Sequence, residues 1–448
     1  MKHLFLVRHA KSSWADDALC DRDRPLNPRG ERQLAPLGRA LQAAGAFEAQ
    51  PFCSDATRAR ATLEGILPAA STDVKRHALS ELYTFDFRRL LAWLRQQGKD
   101  DRLLVVGHNP ALLELAQWLL KHPPEQLPTG SFIHLRLPIK QWHQLEQGQG
   151  KLIALRTPTD FSYSHFARKF RKQGSICEPA QGVQSALVHQ SQRLEQLQNG
   201  VILGLDDEFL HQYRIALRRS RALAEALQEV VRDKTLAKAV KDLKRHARAT
   251  GSLRDLHVWQ QKLPELCGDS FEVRAALQNW FGKEAAHRHK KLTKRLGSKR
   301  YHQSMSDWRN LIESQRFQKL TRALNRKDIQ TVVGRRIRLF NRRTAELMHT
   351  SPDEDIHRLR KKLKRIRYLM ELDAGNWKSL LKTVRARQEL YGHFQDLHVQ
   401  IDFLAHFRAA APDVLPTALA DIRHTLDDRK AETRRQILAL GGLDGAPL

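Results

Sequence analysis

The second half of the chain contains a basic sequence pattern that occurs twice. The first copy reads His211-x2-Arg214-x3-Arg218-Arg219-x-Arg221, and the second reads His357-x2-Arg360-x3-Lys364-Arg365-x-Arg367. Each copy is followed by a second motif, Gly251-x3-Asp255-Leu256-His257-Val258 and Gly392-x3-Asp396-Leu397-His398-Val399. Two matched blocks in the same order predict a duplicated structure whose halves are related by pseudo-symmetry.

The duplicated region has the residue pattern of long helices. Strand signals are absent beyond residue 200, and Gly and Pro are sparse inside the long segments. The basic residues of each copy lie at helical positions i, i+3, i+7 and i+10, which share one face. A further basic stripe follows the first copy, at Lys234, Lys238, Lys241, Arg245 and Arg248. We therefore predict an all-α domain of two helical bundles, over about residues 190–300 and 320–448.

Charge is distributed unevenly along the 448 residues, which carry a net charge of +28. Residues 1–160 hold 22 Lys and Arg against 17 Asp and Glu, so the remainder holds the other 55 against 32. The first region is nearly balanced, as in an ordinary enzyme. The second region is expected to attract a polyanion, namely nucleic acid, polyphosphate or an anionic membrane.

The first region alternates strand and helix signals. Buried strands are predicted at Leu4–Val7 and Leu103–Val106, because each is a run of four apolar residues. Further strands are expected over 46–54 and 132–137, and helices over 31–44, 57–67, 88–97 and 111–120, with Pro36 as a potential kink or delayed start. The alternation predicts an α/β domain with a mostly parallel sheet.

Polar residues follow three of these strands. Arg8 and His9 follow the first strand, His108 follows the strand at 103–106, and Ser54 leads into Arg58. Ligands bind at the carboxyl edge of a parallel sheet, so these side chains are candidates for one site. A histidine nitrogen can attack phosphorus, and arginine forks match phosphoryl oxygens. The set therefore indicates phosphoryl-transfer chemistry.

These motifs resemble those of the histidine phosphatase superfamily. Arg8-His9-Ala10 is similar to its Arg-His-Gly signature, Ser54-x3-Arg58-Ala59-x2-Thr62 to its second motif, and Gly107-His108 to its third. The short spacing between motifs looks most like the SixA-type phosphohistidine phosphatases. The resemblance implies a phosphoglycerate-mutase-like α/β fold, His9 as nucleophile, and Arg8, Arg58 and His108 as phosphoryl ligands, without a metal or other cofactor. Alanine in place of glycine at position 10 is tolerable unless the backbone needs a positive φ.

Two further residues of this region are candidates. The superfamily usually has a proton donor for the leaving group, and Glu81 lies where one is expected, although a phosphoramidate leaving group makes such an acid dispensable. Arg24 is a candidate substrate contact, but pairing with Asp21 or Asp23 explains it more simply.

The helical region resembles the CHAD family, the conserved histidine α-helical domain. The resemblance spans nearly all of residues 185–448 and implies two pseudo-symmetric bundles around a basic groove that binds inorganic polyphosphate. The residues of the family correspond here to the two basic blocks, whose candidate ligands are His211, Arg214, Arg218, Arg219, Arg221, His357, Arg360, Lys364, Arg365 and Arg367. The further basic stripe adds Lys241, Arg245 and Arg248 as candidates.

Other interpretations of the basic region stay open. Basic helix faces are often solvated surface. Nucleic acid is an alternative polyanion, although no helix-turn-helix or aromatic stacking platform is evident. The pairs Asp255/His257 and Asp396/His398 permit metal ligation, but we favour structural histidines capped by the carboxylate two residues earlier or at helix ends, and expect no metal site.

The sequence thus predicts three segments: a phosphatase domain over 1–160, a basic linker over 161–180, and a polyphosphate-binding domain over 181–448. The expected substrate is a phosphohistidine protein. Polyphosphate itself or a small phosphate ester or anhydride is the alternative, and so is a polyphosphate-binding scaffold with a vestigial phosphatase domain. The four cysteines are far apart in the sequence, and the apolar run at the N-terminus is only four residues long. No apolar run approaches the ~18 residues of a membrane span. These features predict a soluble cytoplasmic protein without a membrane partner. Its polyphosphate domain predicts association with polyphosphate granules.

Overall fold

The fold comes from a computed structural model, which describes residues 1–16, 18–70, 76–172, 183–268, 270–322, 326–371, 375–411 and 416–443. The chain divides into two compact units: Met1–Ile176 with Leu203–Asp206, and Cys177–Ile202 with Asp207–Leu448. The first part of the predicted linker is helical over Tyr163–Lys172, whereas the predicted start of the second domain near residue 181 lies outside the described residues. No helix among the described residues is long and apolar enough to cross a membrane.

The first unit is built on one six-stranded sheet. Its strands are β1 (Lys2–Arg8), β2 (Gln50–Ser54), β3 (His77–Leu79), β4 (Arg102–Gly107), β5 (Phe132–Leu137) and β6 (Lys151–Arg156). They are arranged in the order β3-β2-β4-β1-β5-β6, in which β1 to β4 pair in parallel and β5 and β6 are antiparallel additions. The predicted α/β class with a mostly parallel sheet is confirmed.

Helices cover this sheet. They are α1 (Pro28–Ala43), α2 (Thr57–Ile66), α3 (Phe87–Arg95), α4 (Ala111–Leu119), α5 (Pro158–Phe161) and α6 (Tyr163–Lys172). One apolar cluster packs β1 and β4 against α3 and α4, and another packs β1, β2 and β4 against α1 and α2. The inner strands are apolar on both faces because both faces are covered.

Local details differ from the sequence expectation. Residues Ala46–Glu48, expected to begin a strand, form a 3-10 turn, and β2 begins only at Gln50. Helix α1 neither kinks away nor starts late at Pro36. The side chain of Asn27 accepts hydrogen bonds from the backbone N–H groups of Arg29 and Gly30, and this cap fixes the start of the helix well before the proline.

All regular secondary structure in the described residues of the second unit is helical. Its helices are α7 (Val183–Leu203), α8 (Asp207–Val231), α9 (Lys234–Ala249), α10 (Gly251–Cys267), α11 (Phe271–Leu296), α12 (Lys299–Glu313), α13 (Gln315–Arg322), α14 (Arg326–Ala345), α15 (Asp353–Met370), α16 (Lys378–Ala410) and α17 (Pro416–Ala439). The predicted all-α class is confirmed.

Helix α16 joins the two halves of the repeat. Its first part, including Val384 and Tyr391, packs with α14 and α15. Its last part, including Leu397 and Phe407, packs with α10 and α11 of the first half. The two basic helices α8 and α15 also contact each other. The two duplicated basic helices therefore meet inside one compact unit, in which each half keeps its own apolar cluster.

Candidate active site and candidate anion-binding cavity

The sheet order places three strand ends side by side. Strand β4 lies between β1 and β2, Arg8 pairs with Gly107, and the backbone N–H of His9 donates to the carbonyl of Gly107 at 3.1 Å. As a result the His9 and His108 rings are 5.0 Å apart between centroids. Both side chains are buried, with 8% and 2% of their surface exposed.

The backbone after His9 is held rigidly. The N–H of Ala10 donates to Thr62 Oγ1 at 3.0 Å, and the N–H of Lys11 donates to Gln33 Oε1 at 2.9 Å. A Cβ on Gly30 would lie 2.2 Å from the carbonyl oxygen of Lys11, so this close approach requires glycine. Arg232 is the one non-glycine residue of the described chain with a positive φ, so Ala10 fits its position without backbone strain.

Hydrogen bonding fixes the tautomer of His9. Its Nδ1 lies 2.7 Å from the carbonyl oxygen of Ala10, which can only accept, so Nδ1 carries the proton. The lone pair is therefore on Nε2, which accepts from Arg58 Nε at 3.3 Å. Burial, together with the positive charges of Arg58 and Arg8, lowers the pKa of His9 to about 4. The imidazole is thus neutral and its Nε2 is a nucleophilic atom.

Arg58 is the centre of this cluster and is 3% exposed. It lies in the first turn of α2 and reaches His9, His108 and the loop that carries Asp21. Its Nη2 is 2.7 Å from Asp21 Oδ2 and 3.4 Å from His108 Nδ1, and its Nη1 donates to the Asp21 carbonyl. The guanidinium therefore presents donors on the side where both histidines converge.

His108 is a hydrogen-bond acceptor towards Arg58. A guanidinium can only donate, so His108 Nδ1 accepts from it, and its Nε2–H donates to Ser54 Oγ at 2.9 Å. Burial, with His9 and Arg58 adding to it, lowers the pKa of His108 to about 3. The histidine is neutral in this arrangement.

Arg8 leaves part of its guanidinium available. Its Nη1 donates to the carbonyl of Leu127 at 2.8 Å, whereas its buried Nε has no hydrogen-bond partner among the described residues. Burial lowers the pKa of Arg8 from its ordinary value. An unpaired buried donor is costly, so an anion beside Arg8 would be stabilised.

Sequence reasoning missed Asp21 and Tyr83 as parts of this site. Asp21 lies on the 3-10 turn Asp21–Asp23, binds Arg58, and accepts from the hydroxyl of Tyr83 at 2.8 Å. Burial raises the pKa of Asp21, but hydrogen bonds from Tyr83 and Arg58 outweigh it and hold the pKa below its usual value. Arg24 lies 3.6 Å from Asp21, in line with the simpler of its two interpretations. The only sequence signal for Asp21 was its position in the charged loop 21–24.

Glu81 lies apart from these groups. It is exposed on the 3-10 turn Ser80–Leu82, and among the described residues no hydrogen bond or ion pair joins it to His9, Arg58 or His108. Tyr83, two residues further on, is the residue of this turn that reaches the cluster. A general-acid role for Glu81 stays a prediction.

The second unit contains a basic cavity of about 280 Å³. Eight basic side chains and one carboxylate, Glu225, line it. The basic residues are Arg214, Arg218 and Arg221 of α8, Arg248 of α9, and Arg360, Lys361, Lys364 and Arg365 of α15. Glu225 lies 2.8 Å from Arg221 and 2.9 Å from Arg365 and so bridges the two repeats.

The remaining predicted anion ligands lie elsewhere. Lys241 is exposed, Arg245 pairs with Asp242 at 3.0 Å, and Arg367 pairs with Glu371 at 3.4 Å. His211, Arg219 and His357 are likewise absent from the lining, and Nδ1 of His357 bonds to Gln395. Their role as anion ligands stays a prediction.

Lys361 was missed because its counterpart in the first repeat is Ile215. Comparing the two blocks selects only the positions that both share. The cavity is therefore less symmetric than the sequence: Arg221 lines it whereas its counterpart Arg367 does not, and Arg365 lines it whereas its counterpart Arg219 does not.

Burial and crowding perturb the cavity's cations. Burial lowers the pKa of Arg214 to about 10, and burial with Arg360 and Arg218 lowers the pKa of Lys364 to about 6. The buried Nε atoms of Arg218 and Arg360 have no hydrogen-bond partner among the described residues. Such uncompensated cations favour an external anion.

Carboxylates lie behind the arginines. Burial raises the pKa of Asp255 and of Asp396, although Arg214 and Arg360 respectively oppose that effect. Two acidic residues thus offset part of the charge of Arg214 and Arg360 without lining the cavity. We expect them to fix the position of those arginines.

The histidines of the second motif lie against matched carboxylates. His257 Nδ1 lies 3.1 Å from Asp207, and His398 Nδ1 lies 2.9 Å from Asp353. Each carboxylate comes from the first turn of α8 or α15, where a negative charge is favourable, rather than from the residue two positions earlier as expected. No group of three or more metal-ligating side chains occurs in the described chain.

Comparison with known proteins gives the families of both units. The model of the histidine phosphatase superfamily, branch 1, matches residues 4–90, and that of the CHAD domain matches residues 185–405. An uncharacterized protein of Mycobacterium tuberculosis is 31% identical over 163 residues, which are 34% of this chain and 99% of the relative. An uncharacterized chloroplastic protein of Arabidopsis thaliana is 43% identical over 65 residues, 14% of this chain and 30% of that protein.

Solved structures are similar to each unit. The CHAD domain from the plant Ricinus communis aligns with a TM-score of 0.50 and 21% identity, covering 61% of this chain and 96% of the domain. A putative phosphohistidine phosphatase SixA from Agrobacterium tumefaciens aligns with a TM-score of 0.30 and 23% identity, covering 35% of this chain and 98% of that one. By the family models, the chain joins a domain of the histidine phosphatase superfamily to a CHAD domain.

Proposed function

We propose that the first unit is a phosphatase that acts through a phosphohistidine intermediate on His9, and that its substrate is phosphohistidine on a protein. The observation that carries this proposal is the fixed tautomer of His9, whose neutral Nε2 faces Arg58. In the first step Nε2 attacks phosphorus, the N–P bond forms, and the bond to the leaving nitrogen or oxygen breaks. Water then cleaves the N–P bond and releases inorganic phosphate.

The surrounding residues supply the charge that this chemistry requires. The donors of Arg58 and Arg8 bind the phosphoryl oxygens as charge builds up in the transition state, a role for which no metal is needed. The phosphoryl group takes the place of Asp21 at the Arg58 guanidinium. A dianion beside His108 raises the pKa of this residue, so that Nδ1 takes up a proton and becomes a further donor.

We propose further that the second unit binds inorganic polyphosphate and holds the enzyme there, in the cytoplasm at polyphosphate granules. The support is the cavity, in which eight cations face one carboxylate. A phosphate chain presents oxygens at short, regular intervals, so arginine and lysine donors suffice to bind it. Nucleic acid is the second candidate, since the same charges attract its backbone.

A phosphatase screen tests the enzymatic part of this proposal. We expect purified protein to release phosphate from a histidine-phosphorylated protein with a higher kcat/KM than from inorganic polyphosphate or small phosphate esters. The rate is expected to be unchanged by EDTA. Fastest release from polyphosphate would favour the anhydride hydrolase instead, and release from none of the three would favour a scaffold with an inactive first unit.

Polyphosphate binding should be linked to proton uptake at Lys364. With a pKa of about 6, this side chain is mostly neutral at pH 8, and a bound polyanion raises the pKa back towards its ordinary value. The association constant should therefore fall as pH rises above about 6, by up to about tenfold per pH unit for one proton. Below that pH, Lys364 is already charged and contributes no dependence.

Calorimetry in two buffers of different ionisation enthalpy measures this proton uptake at pH 8. Lys364→Arg, which stays charged, should bind without the proton uptake of Lys364 and more tightly than the parent at pH 8. Burial lowers the pKa of His211 and of His357 and so works against their protonation. An unchanged proton count in Lys364→Arg would contradict the prediction.

A further inference from the structure

An aromatic pair lies beside the candidate reaction centre. Tyr83 and Phe85 follow the 3-10 turn Ser80–Leu82, and their ring centroids lie 5.4 and 5.5 Å from that of His108. The two rings also pack edge to face, with centroids 5.6 Å apart. His108 in turn lies 5.0 Å from His9, so the aromatic pair is one ring away from the nucleophile.

Phe85 is exposed although the His108 ring beside it is buried. It leaves 44% of its surface to solvent, whereas His108 and Leu82 are each 2% exposed. Tyr83 is fixed by its hydrogen bond to Asp21 at 2.8 Å, and Arg22 lies over its ring at 5.4 Å. Phe85 is thus an accessible flat apolar surface on a support that is held by hydrogen bonding and ring packing.

The charges near Phe85 restrict what can contact it. Of the cations beside the aromatic pair, Arg22 is paired with Asp55, and Arg58 is engaged with Asp21 or, once substrate binds, with the phosphoryl group. The phenyl ring itself offers no donor to an anion. A planar, unsaturated group gains contact area and favourable ring geometry there, whereas a chain of phosphates would lose hydration without an ionic partner.

We infer that Phe85, supported by Tyr83, binds the ring of a planar aromatic leaving group, such as the imidazole of phosphohistidine or a phenol, and so selects aromatic N- and O-phosphates. This inference rests on the proposed phosphatase function and narrows its substrate class. Phe85 acts on the leaving group and not on the phosphoryl group. Its removal should therefore matter only for substrates that carry a ring.

The test compares two substrates with the same P–N bond, N-phosphoimidazole and phosphoramidate, of which only the first has a ring. We expect Phe85→Ala to lower kcat/KM for N-phosphoimidazole by about 3- to 10-fold, the size of an aromatic contact, and to change the value for phosphoramidate by less than about 2-fold. Phe85→Tyr should restore the parent value, and Phe85→Leu should not. Phe271→Ala, which removes a 70% exposed phenylalanine of the second unit, is the matched control.

Inhibition gives a second measurement that does not depend on turnover. Phenylphosphonate should inhibit Phe85→Ala more weakly than the parent by a similar factor, whereas methylphosphonate should inhibit both equally. Equal losses for both substrates would show a structural role, and no loss for the ring substrate would show no contact, so either result overturns the inference. A parent protein that hydrolyses neither P–N substrate, nor a histidine-phosphorylated protein, would contradict the proposed function itself and the inference with it.

Discussion

His9→Ala is expected to lower kcat/KM for phosphohistidine hydrolysis by at least about 10⁴-fold, because removing a nucleophile removes the covalent route altogether. The alanine protein should also form no phosphoenzyme. In the parent, rapid quenching with a radiolabelled substrate should trap a phosphoryl group that is stable in base and labile in acid. Those two properties identify a phosphoramidate.

The control for this variant is another histidine of the same unit. His122 is exposed, so His122→Ala should retain the parent activity and the parent phosphoenzyme. Circular dichroism and thermal unfolding establish that His9→Ala is folded. Turnover by a folded His9→Ala protein at more than about a hundredth of the parent rate would remove His9 from the role of nucleophile.

The pH profile provides an independent check on His9. Since burial and the nearby arginines lower its pKa to about 4, the neutral imidazole predominates down to that pH. The acid limb of kcat/KM due to His9 should therefore lie near pH 4, well below the ordinary pKa of histidine. An acid limb near pH 6.5 that stays in place when other titratable residues are substituted would contradict this prediction. It would show that the imidazole of His9 is solvated in the working enzyme.

The candidate active site was predictable to the extent that it depends on strand ends. Four consecutive apolar residues identified β1 and β4, and the rule for parallel sheets placed His9 and His108 at one edge. The order β2-β4-β1 was not predictable, because pairing depends on contacts between distant segments. That order nevertheless brings Ser54 and Arg58 to the histidines.

The rest of the site depends on loop geometry. Asp21 reaches Arg58 from a polar loop, and Tyr83 reaches Asp21 from the end of the turn that follows β3. No periodicity or motif spacing in the sequence predicts either contact. Glu81 and Tyr83 illustrate the difficulty: they are two residues apart, and a short irregular turn decides which of them faces the histidines.

In the helical unit the sequence predicted composition better than geometry. Helical periodicity identified the faces of α8 and α15, and both faces contribute to the cavity. The predicted set treated equivalent positions of the two repeats alike. The residues that line the cavity do not follow this equivalence at every position. Side-chain length and local ion pairs, such as Arg367 with Glu371, break the symmetry at the level of individual residues.

Neutralising the two most buried cavity arginines should have the second large effect. Arg214→Gln with Arg360→Gln is expected to weaken polyphosphate binding by about 10²–10⁴-fold, since each charge-assisted hydrogen bond contributes roughly 1.5–3 kcal/mol. Glutamine is preferable to glutamate here because Asp255 and Asp396 lie near these arginines, and a further carboxylate would be repelled. Hydrolysis of a small phosphorylated substrate should be unchanged.

Salt dependence separates this effect from a general loss of charge. Binding to long polyphosphate should weaken as the salt concentration rises. The plot of log association constant against log salt concentration should be less steep for the double variant, because this variant neutralises fewer phosphates. Arg300→Gln with Arg408→Gln makes the same change in charge at two exposed sites outside the cavity lining and should bind like the parent. Equal weakening by both pairs would mean that a diffuse surface charge binds the polyanion. A flexible phosphate chain can enter a cavity into which a duplex does not fit, so polyphosphate should bind more tightly than duplex DNA of equal charge. Tighter binding to the DNA would instead assign the cavity to nucleic acid.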